Sequence, residues 1–127
     1  MSRTSRSPFL LAGLMAGAGA IHLTVPRVFD GTVPRILPGT PRAWTYGSGV
    51  VELALAAGLV HPRTRTAAAR ATAGFFVAVF PANVQMALDW RHRPALPRAA
   101  ALGRLPLQVP LVMWARKVAR AEGASPR

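Results

Sequence analysis

The sequence predicts an all-α fold: an antiparallel four-helix transmembrane bundle with a proline-rich interfacial segment between its first two helices. Three observations carry that expectation. Four blocks of spanning length are almost free of charge: 7–26 and 71–88 hold no Asp, Glu, Lys or Arg, 43–62 holds only Glu52, and 99–115 only Arg104. A helix of ~20 residues rises ~30 Å, the thickness of a bilayer's hydrocarbon core. The arginines gather between the blocks, and the blocks lack the polar stripe that a bundle in water needs. Ala73-Gly74-Phe75-Phe76-Val77-Ala78-Val79-Phe80, for example, is apolar all round.

The expected helices are about 8–25, 43–61, 67–88 and 99–117, with flexible tails at 1–6 and 121–127, all in a single membrane domain 1–127. Helix one follows Arg3 and Arg6 and resembles a signal peptide through Ala20. Its apolar character continues through Ile21, Leu23 and Val25, which favours a retained span. Gly13-x-x-x-Gly17 offers a site of close helix approach. The first loop holds Pro26, Pro34, Pro38 and Pro41 with Val28, Phe29, Val33, Ile36 and Leu37 among its arginines. A water-exposed linker has no need of those apolar residues, so the segment is expected to lie along the interface and partly lid the bundle. Trp44, Tyr46 and Trp90 serve as interfacial anchors. His61-Pro62-Arg63-Thr64-Arg65-Thr66 is a short connection, so helices two and three form a hairpin. Pro81 loosens helix three, and Pro106 and Pro110 sit within the weakest block, helix four.

At 127 residues there is room for one domain, and the absence of cysteine excludes disulfides, thiol nucleophiles and cysteine-ligated metals. The net charge of +12 suggests an acidic partner. The arginines are dispersed among apolar spans, however, so the expected partner is the lipid bilayer with its anionic headgroups and not nucleic acid. Arg3, Arg6, Arg63, Arg65, Arg70, Arg116, Lys117, Arg120 and Arg127 fall on the side of the termini and middle loop. They outnumber Arg27, Arg35, Arg42, Arg91, Arg93 and Arg98 by nine to six, which places both termini in the cytoplasm of a multi-pass cell-membrane protein.

Up-and-down connectivity then groups the polar residues of the spans by depth. His22 ends helix one, Glu52 lies ~12 Å into helix two, Asn83 ~8 Å from the end of helix three, and Arg104 and Gln108 ~8 and ~14 Å into helix four, all measured from the first-loop side. Ser48, Glu52 and Ala56 share one face, as do Phe76, Phe80 and Asn83, and Arg104 and Gln108. A charge in hydrocarbon costs ~2.5–3.5 kcal/mol on the insertion scale, so Glu52 and Arg104 are expected to turn inward and pair, with Asn83, Gln108 and His22 beside them. The cluster serves either as interhelical packing or as a small ligand pocket. No phosphate loop, nucleophile elbow or HExxH occurs, so no catalytic or metal-binding residue is assigned. His61 lies on the opposite side from His22 and His92, which disfavours a bis-histidine haem site.

Gly19-Ala20-Ile21-His22-Leu23 followed by Pro26, Phe29, Val33-Pro34 and Leu37-Pro38, then Gly49-Val50-Val51-Glu52-Leu53 with Gly58-Leu59, resembles the DoxX-like family of small four-helix membrane proteins. Phe80-Pro81-Ala82-Asn83-Val84-Gln85-Met86-Ala87 and Arg104-Leu105-Pro106-Leu107-Gln108 are similar to that family's third- and fourth-helix motifs and are the specific part. The resemblance covers about residues 9–116. It implies motif positions at His22, Glu52, Pro81, Asn83, Arg104, Pro106 and Gln108, and a setting beside quinone-linked redox systems, although most members have no assigned reaction. The expected function is a non-enzymatic membrane subunit or small-ligand binder. A quinone-linked oxidoreductase component, with quinone as cofactor and a redox partner protein, is one alternative. A proton-coupled small exporter, working as a homo-oligomer, is the other.

Overall fold

The computed structural model describes residues 3–124, and among these all regular structure is helical. Helix α1 spans Arg3–Thr24, α2 Arg27–Asp30, α3 Pro41–Val60, α4 Arg65–Ala78, α5 Phe80–Asp89 and α6 Ala95–Ala124. Two of the predicted tails are shorter than expected, because α1 already includes residues 3–6 and α6 runs on through residue 124. Residues 1, 2 and 125–127 of those tails lie outside the described residues.

Each boundary has a local cause. Thr40 caps α3, its Oγ1 accepting from Ala43 N–H at 3.2 Å, and Pro41 stands in the first turn where no intrahelical N–H is needed. The other end of α3 is closed by side chains. Thr64 Oγ1 donates to Gly58 O at 2.8 Å, while Arg65 donates to Leu59 O at 2.7 Å and Val60 O at 2.9 Å. Three carbonyls that a helix end leaves open are thereby satisfied, and the chain turns into α4 within four residues.

The third predicted helix is broken. Pro81 has no N–H to donate to the carbonyl four residues earlier, and the chain interrupts at Val79, which ends α4 and begins α5. The break removes Phe80 from the buried face that Phe76 and Asn83 were expected to share with it. Phe76 and Asn83 are buried, whereas Phe80 is exposed. In α6, by contrast, Pro106 and Pro110 are absorbed without interruption, giving a helix of 30 residues where 99–117 was expected.

The strongest packing joins α1 to α3 and α4 to α6; α3 also meets α4, and α5 meets α6. Gly13 and Gly17, the expected site of close approach, have open space around their Cα atoms. The close approach is instead at Gly19 and Gly49. A Cβ on Gly19 would lie 2.8 Å from the Gly49 carbonyl oxygen, and one on Gly49 would lie 3.1 Å from the Gly19 carbonyl oxygen. Around Leu11, Met15, Leu59, Ala69, Phe76 and Ala115 the four long segments share an apolar core rich in alanine.

Three stretches are long and apolar enough to cross a membrane: Arg6–Thr24, Pro41–Val60 and Arg65–Asp89, the last spanning α4 and α5. Helix α6 has the length, but Arg98, Arg104, Arg116, Lys117 and Arg120 divide its apolar run.

Candidate functional site

The five polar residues singled out in the sequence meet around one small cavity of about 80 Å³. His22, Glu52, Asn83 and Arg104 line it, and Gln108 is hydrogen-bonded to Asn83. They arrive from four elements: His22 from the end of α1, Glu52 from α3, Asn83 from the first turns of α5 just past the proline break, and Arg104 and Gln108 from α6.

His22 is held from three sides. Its Nδ1 donates to the Ala18 carbonyl at 2.8 Å and lies 3.5 Å from Glu52 Oε1, while its ring stacks on Phe29 with centroids 4.0 Å apart. A carbonyl oxygen can only accept, so Nδ1 carries a proton in this arrangement. Glu52 is 4% exposed, and its second oxygen, Oε2, has no hydrogen-bond partner. Asn83 Nδ2 donates to Gln108 Oε1 at 3.0 Å, which ties α5 to α6 and leaves Gln108 Nε2 buried and unpartnered.

The expected Glu52–Arg104 ion pair does not form. The tight Gly19–Gly49 crossing brings α1 against α3, so His22 is the ionisable group nearest Glu52. Arg104 belongs to α6, which packs on α5, and its Nη1 donates to Met86 Sδ at 3.2 Å. It still lines the cavity, leaving a carboxylate and a guanidinium facing the same space without direct contact.

The first loop closes over this site. Phe29, Thr32 and Val33 line the cavity together with Trp44, Thr45 and Ser48 of α3. Asp30 anchors the loop: it accepts from Arg42 Nε at 2.8 Å and from Thr45 Oγ1 at 2.8 Å, and the Arg42 guanidinium holds its carboxyl below the usual carboxylate range. Trp44 Nε1 adds a bond to Pro38 O at 2.6 Å. Sequence reasoning missed Asp30 and Thr45 because they lie outside the charge-poor blocks or carry no charge. The available signal was scarcity: in a chain with four acids, each acid needs an explanation.

Of the other histidines, His61 Nδ1 accepts from Arg63 N–H and His92 Nε2 from Arg91 Nε, both at exposed positions away from the cavity. Among the described residues no group of three or more His, Asp or Glu is placed to hold a metal ion. The cavity is about half the ~150 Å³ of an apolar site that encloses one benzene ring, so its volume suits a ligand smaller than a quinone ring.

No curated protein and no solved structure matches the chain. One family does match, over residues 11–119, a stretch that contains the whole cavity and both glycines of the α1–α3 crossing. The chain therefore belongs to the family described as a domain of unknown function, DUF8561.

Proposed function

We propose that this protein is a multi-pass integral membrane protein, an antiparallel four-helix bundle whose fourth span is α6, and that it binds a small polar ligand without transforming it. The observation that carries the reading is the unpartnered Oε2 of buried Glu52 beside a small, partly open cavity that also presents Arg104. Buried polar atoms in folded proteins are nearly always paired, and one that is not marks a place where something else binds. A ligand of a few heavy atoms, offering a donor to Glu52 and an acceptor to Arg104, meets both the size and the chemistry; a primary amide has that pattern.

The membrane part is supported by the three apolar stretches and by the outward apolar side chains Leu10, Val50, Val77 and Val109, each more than half exposed. In water such a surface would be an association liability, whereas in lipid it is the natural boundary. Similarity to DoxX-like proteins at His22, Glu52, Asn83, Arg104 and Gln108 supports the same architecture, and the nine-to-six bias of positive charge supports a cell membrane with both termini cytoplasmic. The quinone-linked alternative asks for a larger site than the cavity provides. The exporter alternative draws on the same unpartnered carboxylate oxygen, and proton-coupled flux in proteoliposomes separates it from simple binding.

The test is thermal stabilisation of the detergent-purified protein by acetamide and by a short-chain quinone, for wild type and Glu52→Gln. Stabilisation of the wild type by acetamide, lost in Glu52→Gln, is the expected result. Stabilisation by the quinone alone moves the reading to the redox alternative, and no response to either probe ends the pocket reading.

A further inference from the structure

Away from the cavity, the seam between α4 and α6 carries a groove of about 410 Å³ lined by Arg70, Ala73, Arg116, Ala119 and Arg120. Arg116 and Arg120 are one turn apart on α6, and Arg70 faces them from α4. Ala73 and Ala119 are buried and small, so the floor between the guanidiniums is hollow. None of the three arginines makes a hydrogen bond, ion pair or ring contact among the described residues.

Among the described residues no acidic side chain pairs with them. Asp30 is bound by Arg42 and Thr45, Glu52 faces His22, Asp89 accepts from Gln85 at 2.9 Å, and Glu122 pairs with Arg65 at 3.5 Å. Those are all four Asp and Glu residues of the sequence. Three arginines lining one groove with no acidic partner among the described residues suit an anion from outside, and their planar forks match the oxygens of a phosphate.

The surroundings say which phosphate. On α4, Arg70, Ala73 and Val77 follow i, i+3, i+7; on α6, Arg120, Arg116, Met113 and Val109 recede at the same helical spacing. Val77, Met113 and Val109 are 58%, 64% and 61% exposed. The same two helix faces thus present cations at one end and bare apolar side chains farther along, which is the outline of an amphiphile. A second, adjoining groove shares Arg116 and Arg120 and adds Met113, Trp114 and Lys117.

We propose that the α4–α6 seam binds an anionic phospholipid, its phosphate held by Arg70, Arg116 and Arg120 and an acyl chain lying along Val77, Met113 and Val109. The inference rests on the membrane reading above and is independent of the polar cavity. It goes beyond general attraction of basic loops to a membrane surface by naming a fixed site.

The test begins with carbonate extraction of membranes containing the full chain. Release into the supernatant overturns the membrane reading and this inference together. If the chain stays in the pellet, native mass spectrometry of the detergent-purified protein titrated with phosphatidylglycerol or phosphatidylcholine tests the inference alone. The wild type is expected to prefer phosphatidylglycerol ~tenfold or more, the combined Arg70→Gln, Arg116→Gln and Arg120→Gln variant to lose that preference, and an Arg27→Gln, Arg35→Gln, Arg98→Gln control to keep it. No preference in the wild type, or an equal loss in both variants, overturns the site. Should the triple variant lose its helical circular dichroism, Arg116→Gln alone carries the test, with a several-fold fall expected and an unchanged preference counting against the site.

Discussion

The molecule has two interiors that solve opposite problems. Around Leu11, Met15, Leu59, Ala69 and Ala115 the helices touch through small and aliphatic side chains, and the one buried hydroxyl there, Thr72, is satisfied by the Ala68 carbonyl at 2.8 Å. Around Glu52 the side chains of Thr45, Asn83 and Gln108 are buried as well, and one atom of Glu52 and one of Gln108 remain unsatisfied. A chain that can build the first kind of core has no stability reason to build the second. The comparison teaches that apolar packing holds the bundle together, while the polar end is retained at a cost, as sites commonly are.

The comparison breaks most visibly at the apolar core. Leu59 is fully buried there, so Leu59→Ala should destabilise by ~2–5 kcal/mol, near the low end if the proposed membrane setting holds, because lipid in place of water removes much of the transfer contribution and leaves the cavity cost. Its response to acetamide should be unchanged, as seen in melting curves with and without that probe. A comparable loss is expected for Gly19→Val, whose new Cβ would meet backbone at 2.8 Å, with overpacking costing ~1–3 kcal/mol. That variant differs in moving α1 against α3 beside His22 and Glu52, so it should weaken both stability and the ligand response. If Leu59→Ala also abolished ligand stabilisation, the two interiors would be one cooperative unit and the distinction would fail.

At the polar end the expected effects are smaller and their signs less intuitive. Asn83→Leu removes one interhelical hydrogen bond, worth ~0.6 kcal/mol on average in membrane bundles and ~1.7 at most, and strands Gln108 entirely. Asn83→Leu combined with Gln108→Leu removes both partners and the unpaired Nε2 as well, so it should be closer to wild type than the single change. A double-mutant cycle by denaturant or thermal melting reads the difference. If the two losses add, Asn83 and Gln108 are not coupled in solution.

Much of this division was legible in the residues. The charge-poor blocks marked where helices lie, and counting residues from the loops put His22, Glu52, Asn83, Arg104 and Gln108 at one depth because helical rise is constant. What counting could not supply was azimuth and contact distance. Glu52 meets His22 and not Arg104 because two glycines thirty positions apart let α1 and α3 close, and nothing local to either glycine distinguishes it from Gly13 or Gly17. Pro81 announced a disturbance, but Pro106 and Pro110 announced the same and were absorbed. Proline removes a donor in every case, and the neighbouring helices decide whether the chain breaks.

The smallest effect tests whether the first loop belongs to the polar end or merely borders it. Asp30 ties that loop to α3 through Arg42 and Thr45, and its neighbour Phe29 stacks on His22. The Arg42 guanidinium lowers the folded-state pKa of Asp30 below its unfolded value of ~3.9. The tie therefore contributes stability that is present above that unfolded value and is lost as pH falls through the lower, folded one. Because the pair is exposed to solvent and screened, the contribution should be small. Asp30→Asn should accordingly melt slightly below wild type at pH 7, and the gap should narrow as pH falls below the unfolded value of ~3.9. Hydrogen exchange should sharpen the result further, with residues 27–33 exchanging faster in Asp30→Asn at pH 7 while the amides around Leu59 do not change. A gap in melting temperature that did not narrow at all as pH fell below ~3.9 would mean that the carboxylate's charge is not what fastens the loop, and would leave Phe29 stacking and the Trp44–Pro38 bond to hold the cover over the cavity.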